Sequence, residues 1–218
     1  MTSYTAAFAL AWATLLIADT TYAAEPVLTA LPLPFETRHG PVAWTAKGAD
    51  ALTITAGPNA NWFVSPWDLS VVDSAPTILV HPQGDFSLSA KLSLSPKKRW
   101  DSGCLALFLD GDHWAKLCLE NANGDGKLSA VSVVNSFVSD DVYTDFFAPD
   151  NTLYLRVSRK GTALSLLASH EGSAWTMFRT FTFKGADLDQ LRIGLLAQSP
   201  VGDGMTVDFS DIRYSATP

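Results

Sequence analysis

The feature of this sequence that most constrains its fold is a succession of short runs in which apolar and polar residues alternate with a period of two. Clusters of Gly, Pro, Asn and Asp separate the runs, as at residues 123–126 and 200–204. This alternation is typical of half-buried β-strands, and no stretch after residue 23 shows a sustained helical period. Many short strands with frequent turns predict an all-β antiparallel sandwich or barrel. The predicted strands cover residues 51–56, 77–81, 86–94, 104–109, 113–119, 128–134, 152–158, 163–168, 175–183, 191–197 and 205–214.

The composition agrees with one folded domain. Of the 218 residues, 47% are hydrophobic and 17% are charged, which excludes a disordered chain. A single β domain of this length is common, and no interior segment has the composition of a linker. We therefore predict one β-sandwich domain over residues 35–216, preceded by an extended, proline-containing lead-in over residues 24–34. The net charge of −7 and the lack of a long basic cluster predict no nucleic-acid partner.

The N-terminus carries the longest apolar run, Ala6 to Ala18. This run is too short to cross the roughly 30 Å hydrocarbon core of a bilayer, so we predict no membrane span. Together with the polar stretch that follows it, this run is typical of a signal peptide that covers residues 1–23 and is cleaved after Ala23. That interpretation predicts a secreted or periplasmic protein. Because no Lys or Arg precedes the run, an apolar first element of the domain remains the alternative.

One predicted hairpin distinguishes the two faces of its sheet. The turn Asp110-Gly111-Asp112 separates two alternating runs, 104–109 and 113–119. The odd positions in both runs are apolar and are predicted to face the core. The even positions include Trp114, Lys116 and Glu120, and the run 152–158 repeats the pattern with Tyr154 and Arg156 on its polar side. We interpret the polar side as either ordinary solvated sheet or a ligand-binding platform.

The same hairpin contains both cysteines of the chain. If Leu109 lies opposite His113, Cys104 lies directly opposite Cys118. In an oxidising compartment this pairing predicts a cross-strand disulfide, and two buried thiols are the alternative. Neither C-x-x-C nor H-x-x-x-H spacing occurs, so the sequence predicts no metal site and no cofactor.

Several ordered blocks resemble the domain of unknown function 1349 family over about residues 35–214. The resemblance implies a concanavalin A-like fold, a jelly-roll sandwich of two curved antiparallel sheets whose concave face binds ligands in many relatives. It implies no established activity. The family often has glycine at positions 104 and 118, and the joint change to cysteine favours the disulfide. The blocks are 84–88, 101–107, 112–120, 128–131, 155–161, 194–200 and 207–211.

The polar face supplies candidate residues for a non-catalytic glycan site. An aromatic ring can cover the apolar face of a sugar while charged and amide groups bond its hydroxyls. We therefore predict a monomeric carbohydrate-binding or accessory module whose partner is a glycan or polysaccharide. Trp62 and Trp67, which flank Ser65-Pro66, are further aromatic candidates. The six predicted ligand-binding residues are Trp114, Lys116, Glu120, Tyr154, Arg156 and Gln198.

Two alternatives remain open at this point. The first is a polysaccharide lyase or glycoside hydrolase that uses the same face, with Arg156 or Lys116 beside Tyr154 and with Gln198 as a donor. Its weakness is that no two glutamates are close in sequence and no G-x-S-x-G motif occurs, so we assign no catalytic residue. The second is a protein-interaction domain with no sugar ligand.

Overall fold

The computed structural model describes residues 28–39 and 43–217. The predicted signal peptide, residues 1–23, lies outside the described residues. Residues 28–34 of the predicted lead-in form turns and bends, and Leu28 and Leu31 are buried in the core. No helix in the described part of the chain has the length and hydrophobicity needed to cross a membrane.

The described residues form sixteen β-strands and one short 3-10 helix, Leu188–Gln190. The strands are β1 Glu36–Arg38, β2 Ala43–Ala46, β3 Leu52–Ala56, β4 Trp62–Val64, β5 Val71–Asp73, β6 Thr77–Val80, β7 Asp85–Leu94, β8 Ser102–Phe108, β9 His113–Glu120, β10 Ser129–Ser136, β11 Val138–Phe147, β12 Thr152–Lys160, β13 Ala163–Ser169, β14 Thr176–Phe181, β15 Arg192–Gln198 and β16 Met205–Thr217.

Two seven-stranded antiparallel sheets pack face to face. Sheet A has the order β1-β6-β15-β8-β9-β10-β11, and sheet B has the order β14-β13-β12-β7-β16-β3-β2. Strands β4 and β5 form a separate two-stranded hairpin. The all-β sandwich predicted from the alternation and from the family resemblance is therefore confirmed.

The core lies between the two sheets and contains the predicted inward positions. Leu105 and Leu117 are opposite each other on β8 and β9, and both are fully buried. They belong to one hydrophobic cluster with Leu155 of sheet B. The same register places Cys104 opposite Cys118, and the two form a disulfide with a Cα–Cα distance of 4.0 Å. The predicted pairing is therefore present in the structure.

The outer face of sheet A corrects one expectation. The even positions of the first hairpin were expected to lie in an open, solvated surface, but Phe108 and Trp114 are buried. Hairpin β4–β5 covers this end of the sheet, and the Trp62 ring stacks on the Trp114 ring with centroids 4.5 Å apart. These residues form a second hydrophobic cluster with Cys104 and Cys118.

Five short or irregular strands lie outside the runs predicted from sequence. Four of them, β1, β2, β4 and β5, have only three or four residues, which is too short for the alternation to be recognised. The fifth, β11, is ten residues long, but it is an edge strand with many exposed residues. It therefore lacks a regular apolar face.

Candidate functional site

The outer face of sheet A contains a pocket where the cover provided by hairpin β4–β5 ends. Its volume is about 230 Å³. The pocket combines buried polar groups with aromatic walls. It is lined by Asn61, Phe63, Trp67, Trp100, Lys116, Glu120, Val131, Val133, Asp141, Tyr143, Gln198, Pro200 and Val201.

Lys116 of β9 is held rigidly at the base of this pocket. Its side chain is among the largest fully buried ones, and its Nζ donates to the backbone oxygen of Trp62 at 2.6 Å and to Gln198 Oε1 at 2.9 Å. Burial lowers the pKa of Lys116 to about 8, although the negative charges of Glu120 and Asp141 act in the opposite direction. An ammonium group has three donors, so one N–H of Lys116 is left for a further partner.

Glu120, at the end of the same strand, is a buried carboxyl group. Only 4% of Glu120 is exposed, and the Ser102 hydroxyl is the hydrogen-bonding side chain beside its carboxylate. The hydroxyl of Ser102, the residue paired with Glu120, also lies 3.1 Å from the Trp100 carbonyl oxygen. Burial raises the pKa of Glu120 to about 7, and the Lys116 charge partly opposes this shift. A carboxylate has more acceptor sites than one hydroxyl can fill, so Glu120 offers acceptors to a ligand beside a fixed cation.

Strand β11 adds a second carboxylate and a phenol to the same face. In the β10–β11 register, Asp141 lies opposite Val133 and Tyr143 lies opposite Val131. The Tyr143 hydroxyl donates to Asp141 Oδ2 at 3.5 Å, whereas Asp141 Oδ1 is buried without a partner. Burial raises the pKa of Asp141, which the Lys116 charge partly opposes. Burial, together with the charges of Asp141 and Glu120, raises the pKa of Tyr143 to about 12.

Aromatic side chains form much of the pocket wall. Trp67, in the loop of hairpin β4–β5, is 85% exposed and contacts little of the protein itself. Trp100 has a positive φ of 66°, a conformation that costs free energy for a bulky residue. Buried Asp101 stabilises this loop, since its carboxylate accepts from the backbone N–H groups of Lys97 and Lys98 and from the Ser199 hydroxyl.

The structure divides the six predicted site residues into three groups. Lys116, Glu120 and Gln198 meet in the pocket. Trp114 is 1% exposed beneath Trp62, so its expected role as an open sugar platform is wrong. Tyr154 and Arg156 lie on β12 of sheet B, and the expectation that they share one face with the other residues is also wrong.

Period-two alternation shows which side of a strand is polar, but it does not show to which sheet the strand belongs. This explains the misplacement of the two β12 residues. Of the two additional tryptophans, Trp67 lines the pocket and Trp62 is buried. The sequence interpretation missed Trp100, Asp141 and Tyr143. The last two stand at alternate positions of β11, and this spacing was the signal that could have identified them.

Within the described residues, no group of three or more His, Cys, Asp and Glu side chains is arranged to hold a metal ion. The polar groups of the pocket are instead one cation, two carboxyl groups, amides and a phenol. This set can exchange hydrogen bonds with a ligand rich in hydroxyl groups, because it contains both donors and acceptors.

The fold and the pocket define a β-sandwich protein with a small pocket on an outer sheet face, which has polar groups at its base and aromatic rings at its border. A family described as "Protein of unknown function (DUF1349)" matches residues 38–217. The chain therefore belongs to the DUF1349 family, which confirms the resemblance noted from its sequence blocks.

A curated relative is the Saccharomyces cerevisiae protein "Regulation of enolase protein 1". It is 24% identical over 144 residues, which cover 66% of this chain and 71% of that protein. A solved structure of a functionally unknown protein from the same yeast has a TM-score of 0.74 at 19% identity, covering 84% of this chain and 97% of that one.

Two other solved structures share the fold. The carbohydrate binding module CBM66 from Bacillus subtilis has a TM-score of 0.52 at 10% identity, covering 84% of this chain and 95% of that one. The GH43 BlXynB protein from Bacillus licheniformis has a TM-score of 0.58 at 18% identity. The match covers 80% of this chain and 34% of that protein, so the present chain spans about a third of its length. At these identities the likeness concerns the fold alone.

Proposed function

We propose that this protein is a carbohydrate-binding or accessory module and that the pocket on the outer face of sheet A binds one sugar unit of a neutral glycan. The observation that carries the proposal is the combination of Lys116, Glu120 and Gln198 at its base with exposed Trp67 at its wall. A sugar presents hydroxyls that both donate and accept, together with apolar C–H faces that pack on aromatic rings.

The size and charge of the pocket limit the kinds of sugar that it can bind. A cavity of about 230 Å³ is smaller than the roughly 300–1,000 Å³ typical of drug-sized ligands, which favours a single ring. Lys116 stands beside two carboxyl groups, Glu120 and Asp141, so the site has no excess positive charge to hold an acidic sugar. The carbohydrate-binding module among the structural neighbours shares the sandwich fold and supports the same interpretation.

The proposal includes a secreted or periplasmic location. The Cys104–Cys118 disulfide supports it, since disulfides persist in oxidising compartments. The predicted signal peptide over residues 1–23 supports it independently.

The experiment is a glycan array probed with the protein, followed by calorimetric titration of the best neutral oligosaccharide. We expect dissociation constants from micromolar to millimolar, about −8 to −4 kcal/mol, for a single small site. W67A and Q198A should each weaken binding about tenfold, roughly the free energy of one hydrogen bond or stacking contact. The matched controls are L69A, an exposed residue of the same hairpin outside the pocket, and E171Q, an exposed glutamate elsewhere. Full affinity in both pocket variants would refute the site.

A second candidate function, a polysaccharide-modifying enzyme that uses this pocket, is favoured by one observation. Two carboxyl groups, Glu120 and Asp141, line the same pocket on different strands, and burial raises the pKa of both. Raised carboxyl pKa values are typical of general acids. The test is to incubate array-positive polysaccharides with the parent protein and with E120Q. New chain ends that form with the parent and not with E120Q would establish catalysis, whereas binding without any cleavage would support the module.

A further inference from the structure

The outer face of sheet B carries a cationic site that the pocket does not use. We propose that Arg156, with Arg213 and Lys91 beside it, binds an anionic group, either a carboxylate or a sulfate ester, of an acidic polysaccharide. This would be a second ligand site, on the opposite side of the sandwich from the neutral-sugar pocket.

Arg156 differs from the other arginines in its unused hydrogen-bonding capacity. The chain has seven arginines, all within the described residues, and the other six each donate to a carboxylate or a backbone carbonyl. Arg156 donates to no described atom within 3.5 Å, and its Nε is buried. A guanidinium group has five N–H donors in a planar fork that fits carboxylate and sulfate oxygens. The terminal nitrogens of Arg156, Nη1 and Nη2, are therefore free for an external acceptor, whereas the buried Nε is not within reach of one.

The Arg156 side chain is nevertheless held in place. Its guanidinium carbon lies 3.8 Å from the centroid of the Trp175 ring, which comes from the loop after β13. Stacking on an aromatic face fixes the plane of a guanidinium and leaves its N–H groups pointing outward along its edges. A preorganised cation loses less conformational entropy on binding than a mobile surface side chain does.

Neighbouring strands place further positive charge on the same face. Ser89 of β7 is paired with Arg156 on one side and with Arg213 of β16 on the other, so the two arginines lie about 10 Å apart at Cα, with a small residue between them. Burial, followed by the charge of Arg213, lowers the pKa of Arg156. Lys91 lies two residues from Ser89, with its Nζ 5.9 Å from the centroid of the Tyr154 ring.

The acidic residues nearby leave a net positive charge. Asp211 accepts from Arg213, with a shortest N–O distance of 2.7 Å. Burial, followed by the charge of Asp211, raises the pKa of Tyr154. No carboxylate of the described residues lies within 4 Å of Arg156 or Lys91. In a chain with a net charge of −7, three cations of which only Arg213 forms an ion pair are a local exception. A bound anion would relieve the repulsion between Arg156 and Arg213.

The test uses two matched pairs of probes with the full chain. Tetragalacturonate is compared with its neutral methyl ester, and sulfated maltotetraose is compared with maltotetraose, by calorimetric titration and by NMR of the arginine Nε–H signals. We expect at least one anionic probe to bind, and its affinity should decrease as salt is added. Binding should also shift the NMR signal of the Arg156 Nε–H group. This signal is assigned by its absence from the spectrum of R156K. The pair with the larger difference in affinity between its anionic and neutral members shows whether the site prefers a carboxylate or a sulfate.

Variants separate this site from the pocket. R156Q should weaken binding of the anionic probe about tenfold, the expected loss of one charge-assisted contact, and R213Q should weaken it less because Arg213 is already paired. K160Q, an exposed cation at the end of the same strand, should leave the affinity within about twofold. The proposal is overturned if neither anionic probe binds, if the neutral partners bind equally well, or if R156Q does not weaken binding. It is also overturned if E120Q abolishes binding of the anionic probe, because the ligand would then occupy the pocket. Failure of the neutral glycans to bind would refute only the pocket.

Discussion

Trp114 and Trp67 provide the sharpest test of the arrangement on the outer face of sheet A, because they are the same residue type in opposite environments. Trp114 is 1% exposed and packs on Trp62, whereas Trp67 is 85% exposed at the pocket wall. We predict that W114A mainly affects stability and that W67A mainly affects ligand affinity.

The magnitude for W114A follows from its burial. Replacing a buried Trp by Ala costs about 3–5 kcal/mol of unfolding free energy, of which the aromatic stack contributes about 0.5–1.5 kcal/mol. For a domain of this size, 1 kcal/mol corresponds to about 2–4 °C in Tm, so the expected decrease is about 6–20 °C. The exposed Trp67 ring should change stability by no more than about 0.5 kcal/mol when it is replaced by Ala.

The assay is guanidinium unfolding of both variants, followed by tryptophan fluorescence and circular dichroism, with thermal melts in parallel. L69A is the control for W67A, since it alters an exposed apolar residue on the same hairpin. The reasoning would be refuted if W114A unfolded within about 1 kcal/mol of the parent or if W67A lost more than about 1.5 kcal/mol.

Three further predictions concern the groups around the pocket. The double variant C104A/C118A should lose up to about 3 kcal/mol of unfolding free energy, the chain-entropy value for a loop of about 15 residues. Adding a thiol reductant to the parent protein should lower its unfolding free energy by the same amount. Equal stability of the parent, the reduced parent and the variant would contradict this prediction. K116M should lose about 1–3 kcal/mol because it leaves the Trp62 carbonyl and the Gln198 amide unpaired, and unchanged unfolding would show that these bonds contribute nothing. Because the pKa of Glu120 is raised from 4.5 to about 7 on folding, the folded chain binds more protons between these pH values, and its stability should fall as pH rises through this window. E120Q should flatten that part of the pH–stability curve, and an unchanged slope would assign the titration to another group.

The local sequence pattern was sufficient to predict one hairpin, including its two strands and their pairing. In segment 103–120, every leucine alternates with a residue of another type around a strong turn signal. A shift of the register by one residue would turn the whole apolar set outward, so the pairing of Cys104 with Cys118 followed from the turn. This inference needed no information from outside the segment.

The composition of the site depended on contacts between distant parts of the chain. Lys116 and Gln198 are separated by 82 positions, and they meet because β15 and β9 both pair with β8. Gln198 was proposed for its hydrogen-bonding chemistry, whereas Asp141 was missed because β11 has no regular apolar side. Tyr154 and Arg156 share their alternation with the site residues but belong to the other sheet.

The position of Lys116 explains why a pocket exists at this point of the sheet. On the side toward Trp114, hairpin β4–β5 seals the outer face with apolar contacts, and on the side toward Glu120 the face stays open to the pocket. Lys116 lies at this boundary, where its bond to the Trp62 carbonyl closes the apolar cluster and its bond to Gln198 fixes the polar floor. A residue that joins both regions should couple them, so K116M should reduce ligand affinity as well as stability, whereas C104A/C118A should reduce stability with a smaller effect on affinity. Calorimetric titration of both variants, at temperatures where each is fully folded, measures this difference directly. Equal effects on affinity would refute the proposal that Lys116 couples the apolar cluster to the pocket.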